Sequence, residues 1–224
     1  MENKKENDNF NLYRSIDMLL NFTNKKDLTT TVALLEANLN GANSNRVNNI
    51  ITTEEIDLNM LKAALLVKKS ISQIDVVIHA IGIINALSYI LDEDEKVENL
   101  SLGAGNTGRK FDLETNKRIA EFKFINWSGK SDTIRQNTTF KDFFELAESE
   151  TNKKKYLYIL DKDQVVKFFN NNRALKSVLS KNQATYNHFF ELYGTKYTTV
   201  SQYYRNKKEL VNIVDLHDIC PDIF

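Results

Sequence analysis

The stretch SLGAGNTGRKFDLETNKRIAEFKF, residues 101–124, admits few folds. A glycine-rich loop precedes two short runs that alternate apolar and polar side chains, Lys110 to Thr115 and Arg118 to Ile125. Alternation with period two is the signature of a strand. Asn116 and Lys117 lie between the runs, and asparagine tolerates the left-handed backbone of a two-residue hairpin loop. That loop sets Thr115 opposite Arg118, Leu113 opposite Ala120, and Asp112 opposite Glu121. Opposed residues share a face, with Cβ atoms about 4.5–5.5 Å apart. Lys123, two positions beyond Glu121, shares it too. The reverse face receives Phe111, Leu113, Ala120, Phe122 and Phe124, which makes it a core face. A one-residue slip would exchange the two faces, so the register is tightly specified.

Two carboxylates held so close repel each other unless a cation or a shared proton relieves them. A hard divalent cation suits this setting. Mg²⁺ prefers oxygen ligands and often takes only one or two protein carboxylates, leaving room for water and a phosphate. The expected metal ligands are Asp112, Glu121 and the carbonyl of Phe122, with Mn²⁺ as a substitute ion. A cation there would stabilise charge on a phosphodiester and acidify an attacking water. Lys123 would orient that water or meet the developing phosphoryl charge. Alone, Glu121-x-Lys123 is a common strand pattern, and opposed acids also occur on solvated hairpins. The opposed Asp112, the apolar reverse face and the preceding loop favour the chemical reading.

Three of the seven glycines fall within residues 103–108 of that loop. Glycine serves where backbone turns sharply or approaches a ligand, and successive N–H groups can cradle an anion. Gly105, Asn106 and Arg109 are therefore candidate phosphate contacts. The loop lacks the G-x-x-x-x-G-K-[ST] pattern and leads into a hairpin rather than a helix, which disfavours a nucleotide-binding loop. Formal net charge is zero, so a DNA-coating protein is not expected. Charge is uneven, however. Between Ser101 and Asn137 there are seven Lys or Arg against four Asp or Glu. Lys130, Arg135 and Lys141 join Arg109 as a candidate nucleic-acid-binding rim.

A helix with a histidine (His79), a hairpin carrying Asp112 and then Glu121-x-Lys123, and a helix with Gln136-x-x-x-Phe140 follow in order. This set resembles the PD-(D/E)xK nuclease superfamily, closest to its RecB-like branch, over residues 70–162. The resemblance implies an α/β restriction-endonuclease-like core, a mixed central sheet flanked by helices. It implies metal binding by Asp112 and Glu121, catalysis by Lys123, a metal contact from His79, and Gln136 close to the active site. Phe140 stands where the family carries tyrosine, no proline precedes Asp112, and the single cysteine excludes a cysteine-ligated cluster. The implied activity is Mg²⁺-dependent hydrolysis of DNA, with RNA as the other substrate, in a bacterial defence or mobile-element setting. Two alternatives stand beside it. One is a non-cleaving module that binds nucleic acid or a protein partner. The other is a nuclease subunit working with a helicase or ATPase chain, since no ATP-binding motif occurs here. A homodimer would suit the cutting of two strands.

Elsewhere, Leu12 to Thr23, Leu28 to Leu39 and Thr53 to Val67 read as helices of an N-terminal helical region, residues 1–69, with a loop over residues 40–45. The nuclease-like core then spans 70–224 with a helical C-terminal extension. Ser72 to Leu91 is apolar nearly all round, but Asp75, His79 and Asn85 interrupt it, so a buried core helix is expected rather than a membrane span. Thr133 to Glu148 reads as an amphipathic helix. Lys155 to Leu160 reads as a strand beside the hairpin. Gln164 to Asn170, Ala174 to Leu179, Gln183 to Leu192, Thr199 to Tyr204 and Glu209 to Leu216 read as helices. His188 and His217 read as structural or surface residues. The N-terminal stretch MENKKENDNF has no apolar signal region, and a cytoplasmic location is expected.

Overall fold

The structure, a computed structural model, describes residues 12–22, 28–103, 110–124, 127 and 132–221. The chain divides into two compact units, Met1–Ile74 and Asp75–Phe224. The first is helical: α1 spans residues 12–22, α2 Leu28–Leu39, α3 Ser44–Thr53 and α4 Leu58–Ser70. Thr53 to Val67 is thus not one helix. Asp57 breaks it by accepting from the N–H groups of Asn59 (2.9 Å) and Met60 (3.1 Å), which caps α4. Glu55, just before, takes a left-handed φ of 56°. The end of the expected loop, at Asn43, caps α3 by accepting from the Arg46 N–H.

The second unit is an α/β layer structure around one open five-stranded mixed sheet. Its strands are β1 Val97–Leu100, β2 Leu113–Thr115, β3 Arg118–Lys123, β4 Lys154–Ile159 and β5 Asn212–Asp215, in that spatial order. β1–β2 and β2–β3 are antiparallel, while β3–β4 and β4–β5 are parallel. The hairpin has the expected register, with Leu113 opposite Ala120 and Glu114 opposite Ile119. Its turn is built differently. Neither Asn116 nor Lys117 is left-handed. Instead the Thr115 hydroxyl accepts from the N–H groups of Lys117 (3.0 Å) and Arg118 (2.8 Å) and fixes the loop.

One face of the sheet carries Leu113, Ala120, Phe122 and Tyr158, packed with Ile83, Ala86 and Ile90 of α5 (Ile74–Ile90) and with Leu216 of α11 (Leu216–Ile219). Phe122 stacks on Tyr158 with ring centroids 4.8 Å apart. The other face carries Ile119, Leu157 and Ile159 under α6 (Thr133–Ala147). Phe140, Phe143 and Phe144 of α6 pack there with residues of α7 Lys162–Phe169, α8 Leu175–Leu179, α9 Gln183–Tyr193 and α10 Val200–Lys207. Phe111 joins this second cluster rather than the Leu113 face, because β2 begins only at Leu113 and the alternation does not extend back to it.

Three further expectations change. Glu209 to Leu216 is not a helix. A 3-10 turn Lys208–Leu210 leads into β5, whose Ile213 and Val214 pair with Leu157 and Tyr158 of β4. The face bearing the carboxylates is not solvated, since α6 roofs it and leaves Glu121 only 8% exposed. Finally, α5 is not buried all round. Gly82, Ile83, Ala86 and Ile90 face the sheet, but Ile81 is 55% exposed and Ile84 52%. By length and composition alone, Leu58–Ile90 is apolar enough to cross a membrane.

Gly82 has a specific reason to lack a side chain. A Cβ there would lie 2.7 Å from the Phe124 ring. Phe124 in turn stacks on Phe122 and meets His79 edge-on, with centroids 5.8 and 6.2 Å apart.

Candidate active site

β3 carries two of the candidate residues, Glu121 and Lys123. Its alternation turns Ile119, Glu121 and Lys123 toward α6 and Ala120 and Phe122 toward α5. Asp112 sits where the chain enters β2. Its Oδ2 accepts from the Phe122 N–H at 3.0 Å, which fastens the carboxylate to the neighbouring strand. Its Oδ1 lies 3.3 Å from His79 Nε2 on α5. Lys123 Nζ lies 3.6 Å from Glu121 Oε2 and 2.8 Å from Asp142 Oδ2 on α6. Asp112, Glu121, Lys123 and His79 therefore converge from a strand entry, one strand and one helix. His79, Asp112, Phe122, Lys123 and Asp142 line a cavity of about 550 Å³, with Arg135 at its wall.

The electrostatics of this cluster are lopsided. Burial pushes the Glu121 carboxyl well above its usual range, and the negative charge of Asp142 and then Asp112 drives it the same way against the Lys123 ammonium. Burial would raise Asp112 as well, but the His79 hydrogen bond, the Lys123 charge and the Phe122 N–H outweigh it and hold Asp112 low. Burial disfavours the Lys123 ammonium, yet Asp142, Glu121 and Asp112 together raise its pKa well above the ordinary lysine value. Three acids thus crowd the Lys123 ammonium, and Glu121 is the one whose ionisation this crowding and burial disfavour.

The donor set fits a hard cation in kind: two close carboxylates, with an imidazole beside one of them. Among the described residues no group of three or more His, Cys, Asp and Glu side chains stands together at metal-ligating spacing. The fit rests on the Asp112–Glu121 pair, and one or two carboxylates are what Mg²⁺ commonly takes from a protein.

The remaining expected site residues are scattered. Gly105, Asn106, Arg109 and Lys130 lie outside the described residues. Arg135 is 46% exposed in its side chain and pairs with the buried Asp132 at 2.8 Å. Lys141 does not share the Arg135 side of α6. It is bound to Glu145 (2.8 Å) and lies 3.5 Å from Asp142 Oδ1. Gln136 is not among the residues lining the cavity. Its Oε1 accepts from Arg173 Nη1 at 3.1 Å. Gln136 shares a helix face with Phe140 and Phe143, at i+4 and i+7, and that face turns to the core. Phe140 is fully buried there, edge-on to Phe169 (5.4 Å) and Tyr203 (5.8 Å).

Asp142 is the member of this cluster that the sequence pattern did not single out. The available signal was a polar stripe on α6 at i, i+3, i+4 and i+7: Arg135, Thr138, Thr139 and Asp142. All four line the cavity. Compared with known proteins, this chain is matched by no family model, no curated protein and no solved structure.

Proposed function

We propose that the second unit is the core of a Mg²⁺-dependent nuclease of restriction-endonuclease-like design that hydrolyses DNA phosphodiester bonds. The observation that supports this most is the clustering of Asp112, Glu121 and Lys123, with Asp112 and Lys123 lining one cavity and Glu121 3.6 Å from the Lys123 ammonium. Asp112 and Glu121 would hold the cation, with the Phe122 carbonyl and His79 as neighbouring donors. Such a cation supplies charge to the phosphodiester oxygens and acidifies an attacking water. Lys123 keeps its proton in this setting, so it acts as a fixed cation rather than a base. It donates a hydrogen bond to the phosphoryl oxygen on which charge builds. Arg135, reaching solvent at the cavity wall, can grip a flanking phosphate. The water oxygen would bond to phosphorus and give up one proton while the bond to the leaving nucleoside oxygen breaks, and that oxygen would take up a proton in its place.

The test is cleavage of single- and double-stranded DNA and of RNA with Mg²⁺ or Mn²⁺, comparing wild type with Glu121→Ala and Lys123→Ala. Each variant is expected to lose about 10²–10⁴-fold in rate with an unchanged circular dichroism spectrum. Variants that cut as fast as wild type would overturn the assignment.

A further inference from the structure

We infer that Asp142 is a positioning residue that clamps Lys123 for the reaction, and that α6 supplies this part of the site. The inference rests on the nuclease reading for what Lys123 does, but the pairing is geometric. Asp142 Oδ2 lies 2.8 Å from Lys123 Nζ, nearer than Glu121 at 3.6 Å. That oxygen is sealed from solvent and has no well-directed hydrogen bond, so the ammonium is its compensation. An uncompensated buried carboxylate is costly, which ties the two side chains to each other.

The rest of α6 holds Asp142 in place. Its other oxygen, Oδ1, lies 3.5 Å from Lys141 Nζ, and Lys141 is itself fastened to Glu145 at 2.8 Å. Glu145 accepts from the Thr185 hydroxyl at 3.1 Å, which connects the chain of contacts to α9. Phe143, next in sequence to Asp142, is fully buried in the core and fixes the rotation of the helix. Lys123 has a long flexible stem, and its head is worth most when held in one place.

The experiment is a double-mutant cycle on the full chain with Asp142→Asn, Lys123→Met and the double variant. Three readouts are taken: thermal melting without metal, Mn²⁺ binding by calorimetry, and cleavage kinetics. Asp142→Asn is expected to lower kcat by about 10²-fold, with KM within about twofold. It should have no further effect on cleavage in the Lys123→Met background, and Mn²⁺ affinity should stay within about twofold of wild type. The melting shifts should be non-additive. Asp142→Glu should recover part of the rate.

Loss of Mn²⁺ binding in Asp142→Asn would make Asp142 a ligand and overturn the inference. So would additive melting shifts, or an equal rate loss with and without Lys123. If wild type cuts no nucleic acid with any divalent ion, the nuclease reading falls and the melting cycle decides the pair by itself. Coupled shifts then support the clamp, and additive shifts overturn it.

Discussion

Glu121 is an acid placed where ionisation is unfavourable, and its behaviour follows from that. A carboxyl whose folded pKa is raised contributes stability that is complete below its usual value of 4.5 and is lost as pH rises through the folded value. As pH rises above 4.5, then, this side chain contributes progressively less to the stability of the cation-free protein. Glu121→Gln keeps the shape and removes the ionisable group, so its metal-free melting temperature above pH 4.5 should lie above that of wild type in differential scanning fluorimetry. Mg²⁺ should raise the melting temperature of wild type and leave that of Glu121→Gln unmoved. Metal uptake by wild type should also strengthen with rising pH, because a proton must leave first. Glu95 is the opposite case. Burial would raise it, but hydrogen bonds from Arg118 and Thr115 hold it below 4.5. Its contribution is present above that value and fades as pH falls through the folded pKa. The pair is tight, with Arg118 Nε 2.6 Å from Glu95 Oε1 and Nη2 2.5 Å from Oε2. Nη1 is spent on the Tyr158 hydroxyl at 2.9 Å. Replacing either partner with alanine strands a buried charge, so Arg118→Ala should cost about 3–5 kcal/mol in urea unfolding.

At the level of elements, the hairpin was readable because its residues constrain one another locally. The two-residue loop sets the register, and the register sets which side chains meet, so Asp112, Glu121 and Lys123 could be brought together on paper. Facts that depend on distant chain were hidden. Val97–Leu100 is a polar edge strand, legible only once β2 is there to pair with it. Asn212–Asp215 is too short to announce itself without β4 alongside. On α6, Gln136 and Phe140 lie along the core face, while the polar stripe ending at Asp142 faces the cavity, and spacing alone does not distinguish the two. For α5, composition revealed an apolar helix but not which side is covered. Its close approach to the sheet at Gly82 makes a sharp prediction. Gly82→Ala would gain about 1 kcal/mol of helix propensity, but it drives a methyl into the Phe124 ring. Overpacking of this kind costs about 1–3 kcal/mol. The urea midpoint should fall, and the displaced ring should disturb His79, its edge-on neighbour.

In the whole molecule, the second unit holds a single sheet between two apolar clusters, and β3 lies at its middle with strands on both sides. Its residues Ile119, Ala120 and Phe122 are buried. The strand that carries Glu121 and Lys123 is therefore also the strand that both clusters are built on. Amide protons deep in such a sheet are released to solvent only when the entire unit opens. Deuterium exchange at Ala120 and Glu121 should track global unfolding, without a faster local route. The sheet and the Glu121–Lys123 pair are therefore expected to be lost together on unfolding. Any control over this centre has to arrive from what surrounds the strand, because the strand itself has no freedom to give.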